Sequence, residues 1–447
     1  MRERLAVIRR DRFVLSLALI ALVAFMLRLS YLVLAAGERA GGDGRYYHAI
    51  ASILADGKGF IGPQPYLLHH QIIPSAPHPP VWPLVLAGAA VLRLRTVFEQ
   101  QVLACMVGTA TVVMVGLAGR RLARPSTGIV AAAIAAVYPN FWLYERELMS
   151  ETLTLLEAAT IVLLAYRFRA LPSRARAIAL GLACGLLALT HAEQLLLIAV
   201  MLVPLVLFTR DVSLRRRIDW AACATAAAIV VILPWVAYNT SRFHRPVLLG
   251  ASFGVTVAVS NCPTTYAGSR IGFQDISCKD HITESGRITG RDSAAQDAQF
   301  LDAGLKFARN HLSRVPLVVG AREARTWSVP LVQQMNLDTG RGTRAAVIDL
   351  GYIVYWMLLP AAAVGVVILR RRRVALLPLL AFAVVVTIGT ALTYGFTRFR
   401  ASAEVSIVLL AAVAIDVWVR RVFYVDQIAP AVPDRAGAVS SEAGQPE

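Results

Sequence analysis

Gly41-Gly42-Asp43-Gly44-Arg45-Tyr46-Tyr47-His48-Ala49-Ile50-Ala51-Ser52-Ile53-Leu54-Ala55-Asp56-Gly57-Lys58-Gly59-Phe60 begins where the first long apolar segment of the chain stops. That segment, Phe13 to Ala36, is long enough to cross a hydrocarbon core of roughly 30 Å as a helix. Arg2, Arg4, Arg9, Arg10 and Arg12 crowd its N-terminal side, which the positive-inside rule places in the cytoplasm. Asp43 therefore emerges on the far side, in a glycine-rich turn ahead of a helical pattern that carries tyrosines. Two readings of its carboxylate stand side by side: an N-cap that accepts from the first free amides of the helix, and a catalytic base at the mouth of a membrane site.

The rest of the 447 residues sets the class. The chain is 57% hydrophobic and has a mean hydropathy of +0.59, yet it carries a formal net charge of +17. A soluble domain could not bury that much apolar surface, whereas a multi-span membrane protein displays it to lipid. Most arginines fall in short clusters between apolar segments rather than on one soluble face, so they read as topology signals and no nucleic-acid partner is expected. The N-terminal segment is too long for a signal-peptide core and lacks a small-residue cleavage site, so it reads as a retained helix. Five cysteines are too few for a disulfide scaffold. Cys105, Cys184 and Cys223 lie in apolar segments, whereas Cys262 and Cys278 lie in the one long polar stretch. If that stretch faces an oxidising compartment, the pair is expected to close a disulfide.

Length and charge together predict about ten transmembrane helices: Phe13 to Ala36, then spans near 99–118, 126–142, 147–166, 176–190, 194–209, 218–237, 346–369, 374–393 and 403–422. The proline-rich run Pro77 to Leu92 is too short to cross and is expected at the interface. With it held there, the clusters Arg120 to Arg124, Arg167 to Arg176, Arg210 to Arg217, Arg370 to Arg373 and Arg420 to Arg421 all face the cytoplasm, as do both termini. The expected division is transmembrane helices and a first outer catalytic loop (37–98) within 1–237, an extracytoplasmic loop domain at 238–344, further spans at 345–424, and a disordered cytoplasmic tail at 425–447. In the loop domain, Phe253 to Ser260 alternates as a strand would, and Ser293 is placed to cap a helix from Ala294 to Asn310, so a small α/β unit is expected. Pro316 opens an apolar run with Arg322 and Arg325 that reads as lying along the membrane surface.

Acids gather on the outer side: Asp43, Glu145, Glu147, Glu151 and Glu193. Glu147 and Glu151 are four residues apart, so on one helix they would share a face and could hold a divalent metal or position a hydroxyl; a solvated helix start explains them equally. Basic groups gather on the same side, Arg28, Arg45, Lys58, His78, Arg242, Arg398 and Arg400, a set suited to holding a phosphate. Arg398-Phe399-Arg400 is the sharpest, because a tight outer turn has no use for a topology signal. His191 reads as an interfacial histidine, with no second histidine at metal-ligand spacing. Asp416 has Arg420 one turn on as a partner, and Glu157 is a buried acid, either functional or in an interhelical ion pair.

Taken in order, several stretches resemble the GT-C superfamily of membrane glycosyltransferases, near the branch with the protein O-mannosyltransferases and lipid A aminoarabinose transferases. They are Asp43 with Tyr46, Tyr47, Gly57 and Gly59; Pro79-Pro80 with Trp82-Pro83-Leu84; Arg146 through Ser150-Glu151; Gly185 through Thr190; Leu233-Pro234-Trp235 with Asn239; and Arg398-Phe399-Arg400. The resemblance implies that Asp43 is the catalytic base and that a cation before the paired prolines helps bind the donor phosphate. Here that position is His78, and the chain has Tyr238 and His191 where the family often has arginine.

The expected protein is thus an all-α polytopic membrane enzyme of GT-C type that moves a sugar from a polyprenyl-phosphate donor to an acceptor on the extracytoplasmic side of the plasma membrane. Asp43 is the base, with Glu147 and Glu151 as further catalytic candidates. Tyr46, Tyr47, Lys58, His78, Arg398 and Arg400 are the substrate-binding candidates. No cofactor is required, although a divalent metal is compatible with the acids. The rivals are a transporter or lipid flippase, which would favour charges at the midplane and internal repeats, and a non-catalytic assembly partner.

Overall fold

A computed structural model describes residues 2–34, 42–329 and 343–424, and over them the chain folds as a bundle of helices. The tail expected to be disordered, 425–447, lies outside the described residues. The first helix, α1 (Arg2–Leu34), contains the apolar stretch Asp11–Leu34, 24 residues or about 36 Å at the helical rise. Leu15, Leu19, Leu22 and Met26 remain exposed along it, as a lipid-facing side requires. Two short helices, α2 (Gly42–Ala55) and α3 (Pro63–His69), form the first loop. The proline-led run folds as α4 (Val81–Val91), 11 residues and too short to cross a bilayer. It buries Trp82 and Leu86 completely, and the Trp82 indole donates to the Leu148 carbonyl at 2.7 Å.

Helix α5 (Val97–Leu122) starts on a capping box in which Thr96 and Glu99 satisfy each other's backbone amides. The chain turns at the Arg120 to Arg124 cluster into α6 (Pro125–Val137), makes one turn as α7 (Leu143–Arg146), and continues as α8 (Glu151–Ala170). Next come α9 (Arg174–Ala188), α10 (Val203–Leu207) after a 3₁₀ turn and a π turn, and α11 (Leu214–Thr240).

The stretch between α11 and the closing helices holds α12 (Phe253–Ser260), α13 (Ser277–Glu284), α14 (Ser293–Asn310) and α15 (Val315–Thr326). Among the described residues it contains no strand, which corrects the α/β expectation. The alternating stretch is helix α12, because the Asp297 carboxylate of α14 accepts the free amides of Gly254 and Val255 at 3.0 and 2.8 Å. An eight-residue apolar run is ambiguous in isolation, and this tertiary cap decides it. The cap of α14 is Asp292, one residue earlier than expected, accepting from the Ala295 amide. Arg322 and Arg325 of α15 do not lie on a membrane surface. Both are buried and donate to backbone carbonyls of Ala391, Ser260, Ile271 and Ser269. Cys262 and Cys278 are joined in a disulfide.

The chain closes with α16 (Thr343–Arg371), α17 (Leu377–Leu392) and α18 (Ala401–Tyr424). Helix α18 is the central post: every residue from Ala401 to Ala414 is buried, and Asp416 pairs with Arg420 at 3.2 Å as the spacing suggests. Five described helices, α1, α5, α11, α16 and the stretch Thr397–Phe423 around α18, are long and apolar enough to cross a membrane. The spans expected near 126–142, 194–209 and 374–393 fold as the shorter apolar helices Pro125–Val137, Ala192–Leu207 and Leu377–Leu392.

Candidate active site

The site lies where the first loop meets the turn before α18. Asp43 falls in the first turn of α2, and its Oδ2 accepts from Nη1 of Arg398 at 2.8 Å, across 355 residues of chain. On its other side Oδ1 stands 3.8 Å from Nε2 of His78. The His78 ring lies 5.2 and 5.1 Å from the rings of Tyr46 and Tyr47, and the Tyr47 hydroxyl reaches Oγ of Ser150 at 3.4 Å. The tyrosines face this wall because α2 packs on α4: Tyr47 and Ala51 share one cluster with Trp82 and Leu86. Arg398 occupies a 3₁₀ turn, Thr397–Arg400, and its guanidinium sits over the rings of Phe396 and Phe399.

Behind Arg398 a second layer of charge continues. Oε1 of Glu151, at the start of α8, is 3.6 Å from Nε of Arg398 and 3.6 Å from Nε2 of His191. The other ring nitrogen of His191, Nδ1, is 2.5 Å from Glu193 Oε1. The charges thus alternate through Asp43, Arg398, Glu151, His191 and Glu193.

Ionisation follows from this order. Burial pushes the Asp43 carboxyl up, but Arg398 and His78 outweigh it and hold the group below the usual carboxylate range. Burial pushes His78 below the ordinary imidazole range despite Asp43, so at neutral pH it is a hydrogen-bonding group rather than a fixed cation. The site therefore presents an ionised carboxylate, one guanidinium and a neutral imidazole, each partly exposed, with the Tyr46 and Tyr47 rings beside the imidazole. That set can accept a hydroxyl proton on one side and neutralise an oxyanion on the other.

The remaining candidates are placed differently. Lys58 is exposed at the end of α2, with its ammonium over the Tyr66 ring. Glu147 pairs with Arg146 at 3.1 Å. Leu148, at φ 53°, breaks the chain between Glu147 and Glu151, and α8 begins only at Glu151, so the two acids do not share a helix face as the spacing suggested. Among the described residues no group of three or more histidine, cysteine, aspartate or glutamate side chains is placed to hold a metal. Arg400 is buried and locked to Glu404 at 2.6 Å, with Tyr138 and Asn140 donating to the same carboxylate. Arg28 is paired with Glu145 in the bundle interior rather than lining the mouth. Glu157 accepts from the Thr190 hydroxyl at 3.0 Å. The Glu151–His191–Glu193 chain was only half legible beforehand: Thr190-His191-Ala192-Glu193 sets the histidine near one acid, but Glu151 is supplied by a different helix.

The bundle is similar in fold to solved oligosaccharyltransferases, and part of the sequence matches a family model. Residues 77–238 match the family model described as dolichyl-phosphate-mannose-protein mannosyltransferase. No curated protein matches the chain in sequence. Among solved structures, the oligosaccharyltransferase AglB from Archaeoglobus fulgidus, in complex with an inhibitory peptide and a dolichol-phosphate, superposes with a TM-score of 0.54 at 14% identity, covering 96% of this chain and 53% of its own. The apo form of the Archaeoglobus fulgidus oligosaccharyltransferase gives 0.53 at 16% identity, with the same coverage. ArnT from Cupriavidus metallidurans, bound to undecaprenyl phosphate, gives 0.43 at 15% identity over 90% of this chain and 77% of its own. The chain spans about half the length of the oligosaccharyltransferase structures it matches, 53%.

Proposed function

We propose that the protein transfers a sugar from a polyprenyl-phosphate carrier to an acceptor hydroxyl on the extracytoplasmic side of the plasma membrane. The observation that carries this is the meeting of an ionised Asp43 with Arg398 at one mouth, 2.8 Å apart. Asp43 takes the proton of the acceptor hydroxyl as its oxygen forms a bond to the anomeric carbon. The bond from that carbon to the phosphate oxygen breaks with its electron pair, leaving polyprenyl phosphate, and Arg398 stabilises the charge that develops there. A single displacement of this kind inverts the anomeric centre.

His78 orients Asp43 from the other side, Tyr46 offers a ring face a sugar stacks on, and the buried Tyr47 backs the His78 ring. Arg400 holds the Arg398 turn to the core through Glu404, and Lys58 serves the loop rather than the phosphate. The outward side follows from the arginine clusters, and the apolar bundle supplies a wall for the carrier's tail. The dolichol-phosphate held by AglB supports a lipid-phosphate donor.

The test is a turnover assay with the protein in vesicles and a panel of polyprenyl-phosphate-linked sugars. Appearance of polyprenyl phosphate together with a glycosylated product supports the proposal. Movement of the intact lipid across the bilayer without bond cleavage would make the protein a flippase instead.

A further inference from the structure

His191 lies in the turn between α9 and the 3₁₀ turn Ala192–Leu195, on the far side of Glu151 from Arg398. The two carboxylates that flank its ring come from different elements: Glu193 from its own turn and Glu151 from the start of α8. Both Arg398 and His191 address Oε1 of Glu151, whose Oε2 has no hydrogen-bond partner among the described residues although the side chain is buried. A buried carboxylate whose main partners are opposite charges depends on those charges being present. Asp43, Glu151 and Glu193 set three carboxylates against the single guanidinium of Arg398, which leaves two negative charges uncompensated in the place where a phosphate must arrive. An imidazolium at His191 removes one of them and sits between the two acids that need it.

We infer, resting on the proposed transfer reaction, that His191 is a positioning residue: as an imidazolium wedged between Glu193 and Glu151 it pins Glu151 beneath Arg398 and so fixes the guanidinium that faces the leaving phosphate. It does not touch the reacting atoms. Burial would lower its pKa, but Glu193 and Glu151 raise it to about 10. Glu157 lies nearby, accepting from the Thr190 hydroxyl, but burial raises its own carboxyl to about 8, so it adds no fixed negative charge at neutral pH. Asp43 favours the imidazolium from farther out, and His78 and Arg398 stand on the opposite side of the acid layer. A histidine raised in this way contributes stability that is full below its unfolded value near 6.5 and is lost as pH rises through about 10.

Two measurements on the full-length protein in detergent decide it. Exchange of the histidine C2 proton for deuterium, followed residue by residue by mass spectrometry across pH, reports ionisation without any substrate. His191 should titrate at least two pH units above the exposed His69, and a midpoint at or below that of His69 overturns the inference whatever the protein transfers. In the turnover assay His191→Gln should lose roughly tenfold to a hundredfold in kcat/KM for the donor, as a displaced binding group does. His191→Arg should restore most of it and remove the alkaline fall of the wild-type pH profile. A His191→Gln variant within twofold of wild type, or a folded His191→Arg variant as impaired as His191→Gln with the alkaline fall unchanged, contradicts the role. Absence of any sugar transfer by the wild type would defeat the proposed function instead, and the exchange measurement would still decide the charge of His191.

Discussion

Arg28 lies toward the C-terminal end of the apolar helix α1 and is 1% exposed, yet every direction around it is satisfied. Its Nε donates to Glu145 at 2.8 Å, and its two terminal nitrogens reach the carbonyls of Ala24, Ala136 and Ala135. The room for this comes from Gly108 of α5, where an added Cβ would stand 1.8 Å from Glu145 Oε1. Gly108→Ala should therefore push the carboxylate off Arg28 and destabilise the protein by about 1–3 kcal/mol, the range for overpacking a core. Glu145→Ala should cost more, about 3–5 kcal/mol, by leaving a buried guanidinium without its counter-charge. Gly88→Ala is the control, since a Cβ there meets nothing within 4 Å. Thermal unfolding in detergent is the measurement, and equal midpoints for Gly108→Ala and Gly88→Ala would mean that the pair can be moved at no cost. The sequence could mark Arg28 as a cation near the outer end of α1, but its partner is 117 residues away and lies in no recognisable pattern.

At the scale of elements, what was legible followed local rules and what was not followed tertiary ones. The prolines and length of 81–91 announced a short helix, and α4 is one, 11 residues long. By contrast the helical state of Phe253–Ser260 depends on Asp297, about forty residues on, and on Gly254, which lets α14 approach so closely that a Cβ would meet the Asp297 carbonyl at 1.8 Å. Asp297→Ala should therefore loosen α12 by about 1–2 kcal/mol, the value of a lost cap. Hydrogen exchange should rise in the amides of 253–260 while the membrane helices keep their protection. Unchanged exchange in α12 would show that packing alone holds it helical. The same distinction explains the outer acids: spacing joined Glu147 to Glu151, but the left-handed Leu148 parts them and Arg398 claims only Glu151.

At the scale of the molecule, the site exists because the two ends of the chain meet. The loop after α1 carries Asp43 and the α17 to α18 turn carries Arg398, and the two meet at 2.8 Å; the proposed topology puts this meeting point on the side away from the arginine clusters. Reporters fused after Arg124, Arg217 and Arg373 should read cytoplasmic and one near Gly290 external; an external signal after Arg124 would mean that Val81–Val91 crosses and would invert the rest. Cys262 and Cys278 are joined in a disulfide, so they should resist thiol labelling in denatured, unreduced protein, as the proposed external placement requires. The central claim is that Asp43 removes the acceptor proton while Arg398 holds the phosphate. Because Arg398 and His78 keep Asp43 below the usual carboxylate range, transfer should persist through mildly acid pH and fail only as pH drops through that depressed value. Asn caps a helix about as well as Asp, so a purely structural Asp43 would tolerate Asp43→Asn with little effect. The measurement is sugar transfer by purified, reconstituted Asp43→Asn with its fold verified. The account predicts a loss of roughly a hundredfold to ten-thousandfold with donor binding largely kept; near-normal transfer would contradict it.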